Sequence, residues 1–392
     1  MVGHLGDCQN VCALERIWRE TISFVTLEDA LMFSRREFGR LLGVMGASGA
    51  LPALAQGRAL TVVTWGGTTT RFQKLAVFDP FTAETGIPIK IEEWNGNLGL
   101  IRAQVESGKV TWDVVVGDIA FAKRGCEDGF LEKISPSILA VGGNREAAST
   151  DYLPGSIQEC GIGAYAWSTV IAWDKRKFER INSLGDFFNL SAYPGKRGLR
   201  KSPQSSLEFA LLGDGVPTDQ VYKLLRTKEG LDRAFRKLDS IKSQTVWWES
   251  GSQARRILAD GEVVISSGFS GSMVSAILDD KRQFGLLLGS SLIDQDAWMV
   301  VKNAPNKDLA MRFIAFASRP DRMAAHGSSN PASPARQSAF AMVTKHPTLG
   351  VDMKPYHATS PENRKTSLLV DTDFWADRGD DLQERFNSWL SR

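Results

Sequence analysis

Histidine and cysteine are scarce in this 392-residue chain, and neither sign of charge is in excess. The four histidines and four cysteines form no cluster with metal-ligand spacing, so no metal site is predicted. Lysine and arginine number 47 against 45 aspartates and glutamates. A nucleic-acid-binding protein usually shows a basic excess or stripe, and neither is present. After Ala55 no run is apolar enough to cross a membrane.

Signatures of catalysis are missing too. There is no Gly-x-Ser-x-Gly elbow, no His-Glu-x-x-His pair and no Walker loop. Ser270 and Ser272 follow a predicted strand, but no histidine stands out as their base, and such serines are common at helix N-termini. We therefore predict no catalytic residues and no cofactor, and we do not expect an enzyme.

Residues 34–38, which read Ser-Arg-Arg-Glu-Phe, are the most informative segment that is present. An apolar run over 41–55 follows and ends in Ala-Leu-Ala. Paired arginines before such a run are typical of a twin-arginine export signal. The run is shorter than the ~20 residues that a membrane-spanning helix needs. We predict a signal peptide over 32–55, cleaved near Ala55 and Gln56, and a periplasmic protein; the alternative is an internal amphipathic helix.

Residues 1–31 lie awkwardly ahead of this signal. Twin-arginine segments normally lie close to the initiator, and Met32 lies two residues before Ser34. We expect Met32 to be the true start and residues 1–31 to be a gene-model extension; the alternative is a disordered extension. In both cases these residues are set aside from the fold prediction.

The rest of the chain is too long for one ordinary core, which predicts two lobes. Strands are predicted at 59–65, 87–94, 112–116, 162–173, 246–248, 263–266 and 297–301. Helical patterns separate them, among others at 68–85, 98–107, 119–128 and 372–390. Strands that alternate with helices in this way indicate a mostly parallel sheet.

Two cysteines, Cys126 and Cys160, remain after the leader. An even pair in an oxidising compartment predicts one disulfide. Two buried free thiols are the alternative.

Aromatic and acidic residues recur where predicted strands end. They are Trp65, Asp118, Phe269, Asp294, Asp296 and Trp375. In open α/β sheets, ligands bind outside the carboxyl ends of strands. Aromatic faces with a few acids suit a cationic ligand, through cation–π contacts and charge-assisted hydrogen bonds. Each residue alone is more often explained by core packing or a helix cap, so the hypothesis depends on their recurrence.

The chain resembles the periplasmic solute-binding proteins of bacterial ABC transporters, in the spermidine/putrescine-binding branch, over residues 58–392. The segments that carry the resemblance are 60–65, 112–118, 165–167, 258–264, 294–298 and 306–321. It implies an α/β, two-lobed, type II-like binding protein, each lobe a mixed sheet flanked by helices, with a ligand cleft between the lobes. The implied lobes are 58–165 plus 297–345 for lobe 1, and 166–296 plus 346–392 for lobe 2.

The resemblance also implies ligand-binding positions. It matches lining positions of the family to Trp65, Asp118, Phe269 and Asp296, and a polar position falls near Trp375. The chain departs from polyamine binders in two places. Gly66-Gly67 replaces their Thr-Glu, and residues 202–206 replace an acidic pair. The predicted ligand-binding set is Trp65, Gly66, Asp118, Ser206, Phe269, Asp294, Asp296 and Trp375.

The implied function is the extracytoplasmic solute-binding component of an ABC importer. It would capture a small organic solute, cationic and polyamine-like, by cleft closure and deliver it to the permease and its ATPase. Because the acidic pair is missing, an amino-acid-like, opine or aminophosphonate solute is the alternative. An anionic solute would instead point to Arg200 and Lys201.

A secreted enzyme and a ferric-iron binder are further alternatives. Iron binders commonly use adjacent tyrosines, and no two of the five tyrosines are adjacent. We expect a monomer that reaches the membrane only through the permease and that binds no nucleic acid.

Overall fold

A single mixed β-sheet organises the fold. The computed structural model describes residues 59–142 and 145–392, so the predicted signal peptide and residues 1–31 lie outside the described residues. Within those ranges eleven strands join the sheet. They are β1 (Leu60–Thr64), β2 (Ile89–Glu93), β3 (Val114–Asp118), β4 (Ile157–Gln158), β5 (Gly161–Asp174), β6 (Arg197–Arg200), β7 (Thr245–Trp248), β8 (Ile265–Phe269), β9 (Phe284–Val300), β10 (Ser333–Pro334) and β11 (Leu368–Leu369).

Sixteen α-helices in the same two ranges flank the sheet. They are α1 (Gly67–Gln73), α2 (Asp79–Thr85), α3 (Leu98–Glu106), α4 (Ile119–Glu127), α5 (Ala148–Asp151), α6 (Leu184–Phe188), α7 (Pro203–Gly213), α8 (Thr218–Leu225), α9 (Lys228–Asp239), α10 (Gly251–Ala259), α11 (Ser270–Leu278), α12 (Lys307–Ala317), α13 (Pro320–Ser329), α14 (Gln337–Ala341), α15 (Pro361–Arg364) and α16 (Thr372–Leu390). Among these described helices, none combines the length and hydropathy of a membrane-spanning segment.

The two longest strands, β5 and β9, lie side by side at the centre of the sheet. The strand order is β2-β1-β3-β9-β5-β8-β6-β7, with β4 and β10 paired to β5 and β11 paired to β9. On one side β1 is parallel to β2 and β3, and on the other β6 is parallel to β7 and β8. The predicted parallel pairing therefore holds for the outer strands. The central strands run antiparallel to β3, to β8 and to each other, because the chain crosses there between the halves of the sheet.

Separate apolar cores cover the two halves, which makes the molecule two-lobed. In the half that contains β1 and β3, Val62 and Val114 pack on one face with Phe313. Val63 and Val115 pack on the opposite face. Because both faces are covered, these strands are apolar at successive positions instead of alternating.

The other half has the same layered arrangement. Ile265 and Leu199 pack on one face against α7, α9 and α16, whose apolar residues include Phe386. Val170 and Trp248 pack on the opposite face with α10 and α11. Strand β5 contributes to a core in each half, and the exact residues at which the lobes meet stay a prediction.

Strand β9 is much longer than the sequence pattern indicated. The predicted strand at 297–301 is only the end of a strand that begins at Phe284 and runs for 17 residues. Residues 284–296 include two glycines and three acidic or amide side chains, which break the apolar run that a sequence reading needs. Pairing with β5 on one side and β3 or β11 on the other supplies the missing stabilisation.

Cys126 and Cys160 form the predicted disulfide. Their Cα atoms lie 5.5 Å apart, and the bridge joins the C-terminal turn of α4 to the residue before β5. It therefore ties a helix of the first half to the start of a crossing strand.

Candidate ligand-binding cleft

A cleft of about 720 Å³ lies where the carboxyl ends of four strands face the central crossing. Trp65 directly follows β1, and Asp118, Arg200 and Phe269 are the last residues of β3, β6 and β8. All four side chains line the cleft, together with Asp296 of β9. Parallel strands bring their carboxyl ends to one edge of a sheet, which explains why residues so distant in sequence meet here.

The carboxylate of Asp296 is held at the floor of the cleft by three neutral donors. The hydroxyl of Tyr165 donates to Oδ2 at 2.6 Å, and the indole of Trp167 donates to Oδ1 at 3.0 Å. The indole of Trp65 also donates to Oδ2. Burial raises the pKa of Asp296, while the three hydrogen bonds lower it in part. The result is a buried acid whose hydrogen-bond donors carry no positive charge.

Aromatic faces surround this acid. Trp167 meets Phe269 edge to face, with ring centroids 5.5 Å apart, and Trp65 lies 5.7 Å from Trp94. Three of these rings, together with Tyr165, line the cleft. A cation placed among them would contact π faces and Asp296 at the same time.

Arg200 supplies a half-buried positive charge to the lining of the cleft. Its guanidinium lies over the ring of Phe269, 5.4 Å from the centroid. Burial lowers the pKa of Arg200, and the nearby charges of Asp294, Asp118 and Glu208 oppose that shift. In the part of the chain that the structure describes, its guanidinium donates no hydrogen bond and has no carboxylate within 4.0 Å. It is therefore free to bind an anionic group.

Asp118 and Asp294 complete the charged groups beside Arg200. One oxygen of Asp118 accepts from the amide of Ala120 at 2.8 Å, which caps α4. Asp294 accepts from the side chain of Gln204 at 3.0 Å. Burial raises the pKa of Asp118 to about 7, and the charge of Asp296 adds to that rise. Burial and the neighbouring Asp118 also hold the pKa of Asp294 well above its usual range.

Metal ligation is not a feature of this cleft. Across residues 59–142 and 145–392, no group of three or more histidine, cysteine or carboxylate side chains could hold a metal ion. The cleft offers an acid among aromatic rings and the guanidinium of Arg200 beside Asp118. This arrangement suits non-covalent binding of a small charged molecule.

Comparison with known proteins identifies the family. Residues 76–351 match the family described as bacterial extracellular solute-binding protein. The chain is also 38% identical over 352 residues to the gamma-aminobutyric acid (GABA)-binding protein of Pseudomonas aeruginosa, covering 90% of this chain and 96% of that relative. The chain belongs to the bacterial extracellular solute-binding proteins.

Solved structures of related solute-binding proteins share this fold. The binding protein MotA of A. tumefaciens B6, crystallised in complex with glucopine, is 30% identical, with 85% of this chain and 100% of that chain covered and a TM-score of 0.73. A structure described as a GABA receptor is 29% identical, with 85% and 98% covered and a TM-score of 0.73.

The predicted resemblance to ABC-transporter solute-binding proteins is thus confirmed. The spermidine/putrescine branch is only a distant neighbour. The spermidine/putrescine-binding protein of Streptococcus pneumoniae is 16% identical, with 85% and 100% covered and a TM-score of 0.64, which establishes a shared fold and no more.

The solute-binding protein brings half of the predicted site residues together. Trp65, Asp118, Phe269 and Asp296 line the cleft. Asp294 and Trp375 line an adjoining chamber instead.

Two predicted residues support the cleft from outside its lining. Gly66 has a φ of 82°, and a Cβ there would lie 2.5 Å from the carboxylate of Glu93. Ser206 is buried, and its hydroxyl donates to the carbonyl of Arg200 at 3.1 Å. Gly66 thus permits the turn after Trp65, and Ser206 fixes the backbone that carries Arg200.

Several lining residues were not in the predicted set. Tyr165 and Trp167 lie within β5 instead of at a strand end, so the strand-end rule passes over them. The sequence points to Arg200 only for an anionic solute, and it predicts no strand over β6, because Arg197–Arg200 lacks the β-branched pattern of a strand. Lys201, named with it, lies outside the cleft lining and pairs with Glu249 at 2.8 Å.

Proposed function

We propose that this solute-binding protein captures a zwitterionic amino-acid-type solute of the GABA class. Its ammonium would lie among the aromatic rings against Asp296, and its carboxylate would bind Arg200. This is the amino-acid-like alternative from the sequence, and it has more support than the polyamine-like reading. The single observation that supports it most is that the guanidinium of Arg200 donates no hydrogen bond among the described residues, in a cleft that also contains the buried acid Asp296.

The ammonium end is supported by the surroundings of Asp296. Three neutral donors orient its carboxylate but leave its charge uncompensated within the cleft. A primary ammonium is a compact donor that can hydrogen-bond a carboxylate and contact indole faces. Burying it beside Asp296 would pair the two charges.

The carboxylate end is supported by Arg200. A guanidinium offers a planar fork of donors that matches a carboxylate with two parallel hydrogen bonds. Arg255 also lines the cleft and could add a second positive charge at the rim, since its pairing with Asp280 is loose at 3.6 Å. A polyamine would instead bring a second ammonium toward Arg200, where like charges repel.

The relatives point to the same class of solute. One similar protein is named for binding GABA, another structure is described as a GABA receptor, and MotA was crystallised with glucopine. These names support an amino-acid or opine solute more than a polyamine.

A thermal-shift screen tests this proposal directly. The panel contains GABA, other amino acids, opines, aminophosphonates, putrescine and spermidine, each at the same concentrations. A ligand that binds only the folded protein raises the midpoint of unfolding. We expect shifts with GABA-class amino acids and none with putrescine. Shifts with polyamines alone would contradict the proposal.

Delivery of the solute follows from membership of the family. We propose that the lobes, 58–165 plus 297–345 and 166–296 plus 346–392, close on the solute by bending at β5 and β9, which both lobes share. The closed monomer would then dock on the permease of an ABC importer with its ATPase. No chemistry on the solute is proposed.

Export by the twin-arginine route is part of the proposal. Replacing Arg35 and Arg36 together with lysine should leave an uncleaved precursor in the cytoplasm. N-terminal sequencing of the mature protein should begin near Gln56. Normal periplasmic accumulation of the double variant would rule out this route.

A further inference from the structure

A second chamber of about 200 Å³ adjoins the cleft, between α4 and α16. Asp118, Phe121 and Gln204 line both cavities and so form the wall between them. On its far side the chamber is lined by residues of α16, among them Trp375 and Gly379.

Asp118 and Gln204 are held in this wall in different ways. Asp118 is fixed by its role as the cap of α4. Gln204 is held by one side-chain hydrogen bond, 3.0 Å to Asp294. The next residue, Ser205, has a φ of 72°, an unusual conformation for a residue other than glycine. Such strained backbone is concentrated at ligand sites, where it aims a particular side chain.

Ionisable side chains line the chamber, and Asp118, Asp294 and Arg124 each have a partner; Asp118 accepts from the amide of Ala120 at 2.8 Å. Arg124 lies 3.8 Å from Asp380, and Asp294 accepts hydrogen bonds from Gln204 and from the amide of Gln295. The rings of Phe121 and Trp375 supply apolar faces beside these groups. Hydroxyl groups can both donate to the acids and accept from the amides, while the carbon chain that bears them packs on the rings.

We propose that the second chamber is a subsite for the distal, uncharged and hydroxyl-bearing end of a solute longer than a four-carbon amino acid. This inference depends on the proposed function, because the amino-acid end must be held by Arg200 and Asp296. The chain of the solute passes between Asp118 and Phe121 once Gln204 moves aside. Short and extended amino-acid solutes then bind Arg200 and Asp296 in the same way, and only the extended ones occupy the chamber.

Filling the chamber at Gly379 tests this inference without touching the cleft. A Cβ at Gly379 would meet no heavy atom within 4 Å, so a larger side chain has room. Gly379 lies inside α16, where leucine and alanine are better helix formers than glycine, so both variants should fold. Gly379→Leu fills the chamber, and Gly379→Ala is the matched control that adds one methyl group.

Calorimetry with two solutes gives the readout: GABA, and an amino acid with a polyhydroxyl chain on its nitrogen. We expect wild type to bind both. Gly379→Leu should weaken binding of the extended solute at least tenfold and that of GABA less than twofold, whereas Gly379→Ala should change both less than threefold. Gln204→Ala should strengthen binding of the extended solute.

Three results would overturn the subsite. In the first, Gly379→Leu binds the extended solute as tightly as wild type does. In the second, Gly379→Leu loses the same factor of affinity for both solutes. In the third, wild type binds GABA but not the extended solute. If wild type binds neither GABA nor the extended solute, the proposed function itself is wrong, and the subsite with it. This result differs from the three above, so failure of the subsite and failure of the proposed function can be distinguished.

Discussion

The indole nitrogen of Trp167 in β5 lies 3.0 Å from Oδ1 of Asp296 in the neighbouring strand β9. Tyr165, two residues earlier in β5, binds the other oxygen of the same carboxylate at 2.6 Å. Two central strands therefore hold one acid in place with neutral groups only. In the proposed complex, the ammonium of the solute would balance the charge of this acid.

Removing this acid should weaken solute binding strongly. Asp296→Ala would leave a buried ammonium without its counter-charge, which costs on the order of 2–5 kcal/mol of binding free energy. Trp65→Ala should cost about 1–2 kcal/mol, through lost cation–π and packing contacts. Calorimetry with GABA measures both, with thermal melts as a check on folding. Unchanged affinity in both variants would place the solute elsewhere.

Solute binding should depend on pH through Asp118. Burial raises the pKa of Asp118 to about 7, so much of it carries a proton below that pH. The proposed ammonium lies against Asp296, which is the residue opposite Asp118 in the β3–β9 pair. There it favours the ionised form of Asp118, so binding releases this proton, and affinity for GABA should rise from pH 5.5 to about 7. Asp294, Asp296, Arg200 and the capped amide of Ala120 are the neighbours that set this pKa.

Asp118→Asn is the matched variant for this pH dependence. Asparagine caps helices as well as aspartate does, so α4 should keep its N-terminus. The variant should bind GABA with a shallower dependence on pH over the same range, because Asp294 and Asp296, whose pKa values burial also raises, remain. An unchanged slope in the variant would exclude Asp118 as the titrating group.

Glu208 should make the folded protein less stable as pH rises. It is fully buried in α7, accepts hydrogen bonds from Tyr222 and Trp375, and burial raises its pKa to about 7. Between its ordinary pKa of 4.5 and 7 the folded state holds a proton that the unfolded state has lost, so stability falls across that window. Glu208→Gln should therefore gain on the order of 1–3 kcal/mol of unfolding free energy over wild type at pH 8, and little at pH 4.5.

Urea unfolding of both proteins at the two pH values measures this difference. Burial lowers the pKa of both His326 and His357 from 6.5 to about 4, so their contributions to stability rise with pH instead. Both histidines are present in wild type and variant, so the difference between the two proteins isolates Glu208. A difference that does not change with pH would show that Glu208 is ionised in the folded protein.

The disulfide should contribute substantially to stability. Cys126 and Cys160 are 34 residues apart, and closing a loop of that length contributes about 3–4 kcal/mol by chain-entropy estimates. Replacing both cysteines with serine should lower the free energy of unfolding by that amount. Mass spectrometry of the unreduced protein should find no free thiol after the leader, and two free thiols would reject the bridge.

Part of the cleft is predictable from sequence because its residues end strands. Trp65 and Asp118 follow runs rich in β-branched residues, Phe269 follows the strand predicted at 263–266, and the carboxyl ends of parallel strands meet at one edge. Tyr165 and Trp167 are not predicted in this way because they lie inside the long strand β5 and not at its end. Which of its side chains face the cleft depends on where the strand crosses between the halves of the sheet. No local pattern marks that crossing.

The positions of Trp375 and Ser206 relative to the cleft could not be predicted from strand ends, because tertiary packing determines their partners. Trp375 is predicted as a pocket residue before the last helix, but it lies in the first turn of α16, and its indole donates to Glu208 at 2.8 Å and lines the adjoining chamber instead of the cleft. Ser206 is buried beneath the strand end that carries Arg200. The proposed charge of the solute could not be predicted from the sequence either, because it depends on Arg200 lacking a hydrogen-bond partner among the described residues.

The most direct test of the zwitterion proposal is calorimetry of wild type and Arg200→Gln with GABA, butyrate, butylamine and putrescine. Wild type should bind GABA at least a hundredfold more tightly than any of the other three, because only GABA satisfies both Arg200 and Asp296. Arg200→Gln should lose most of the affinity for GABA while its weak affinity for butylamine stays the same. Tighter binding of putrescine than of GABA by wild type, or unchanged GABA affinity in the variant, would contradict this assignment.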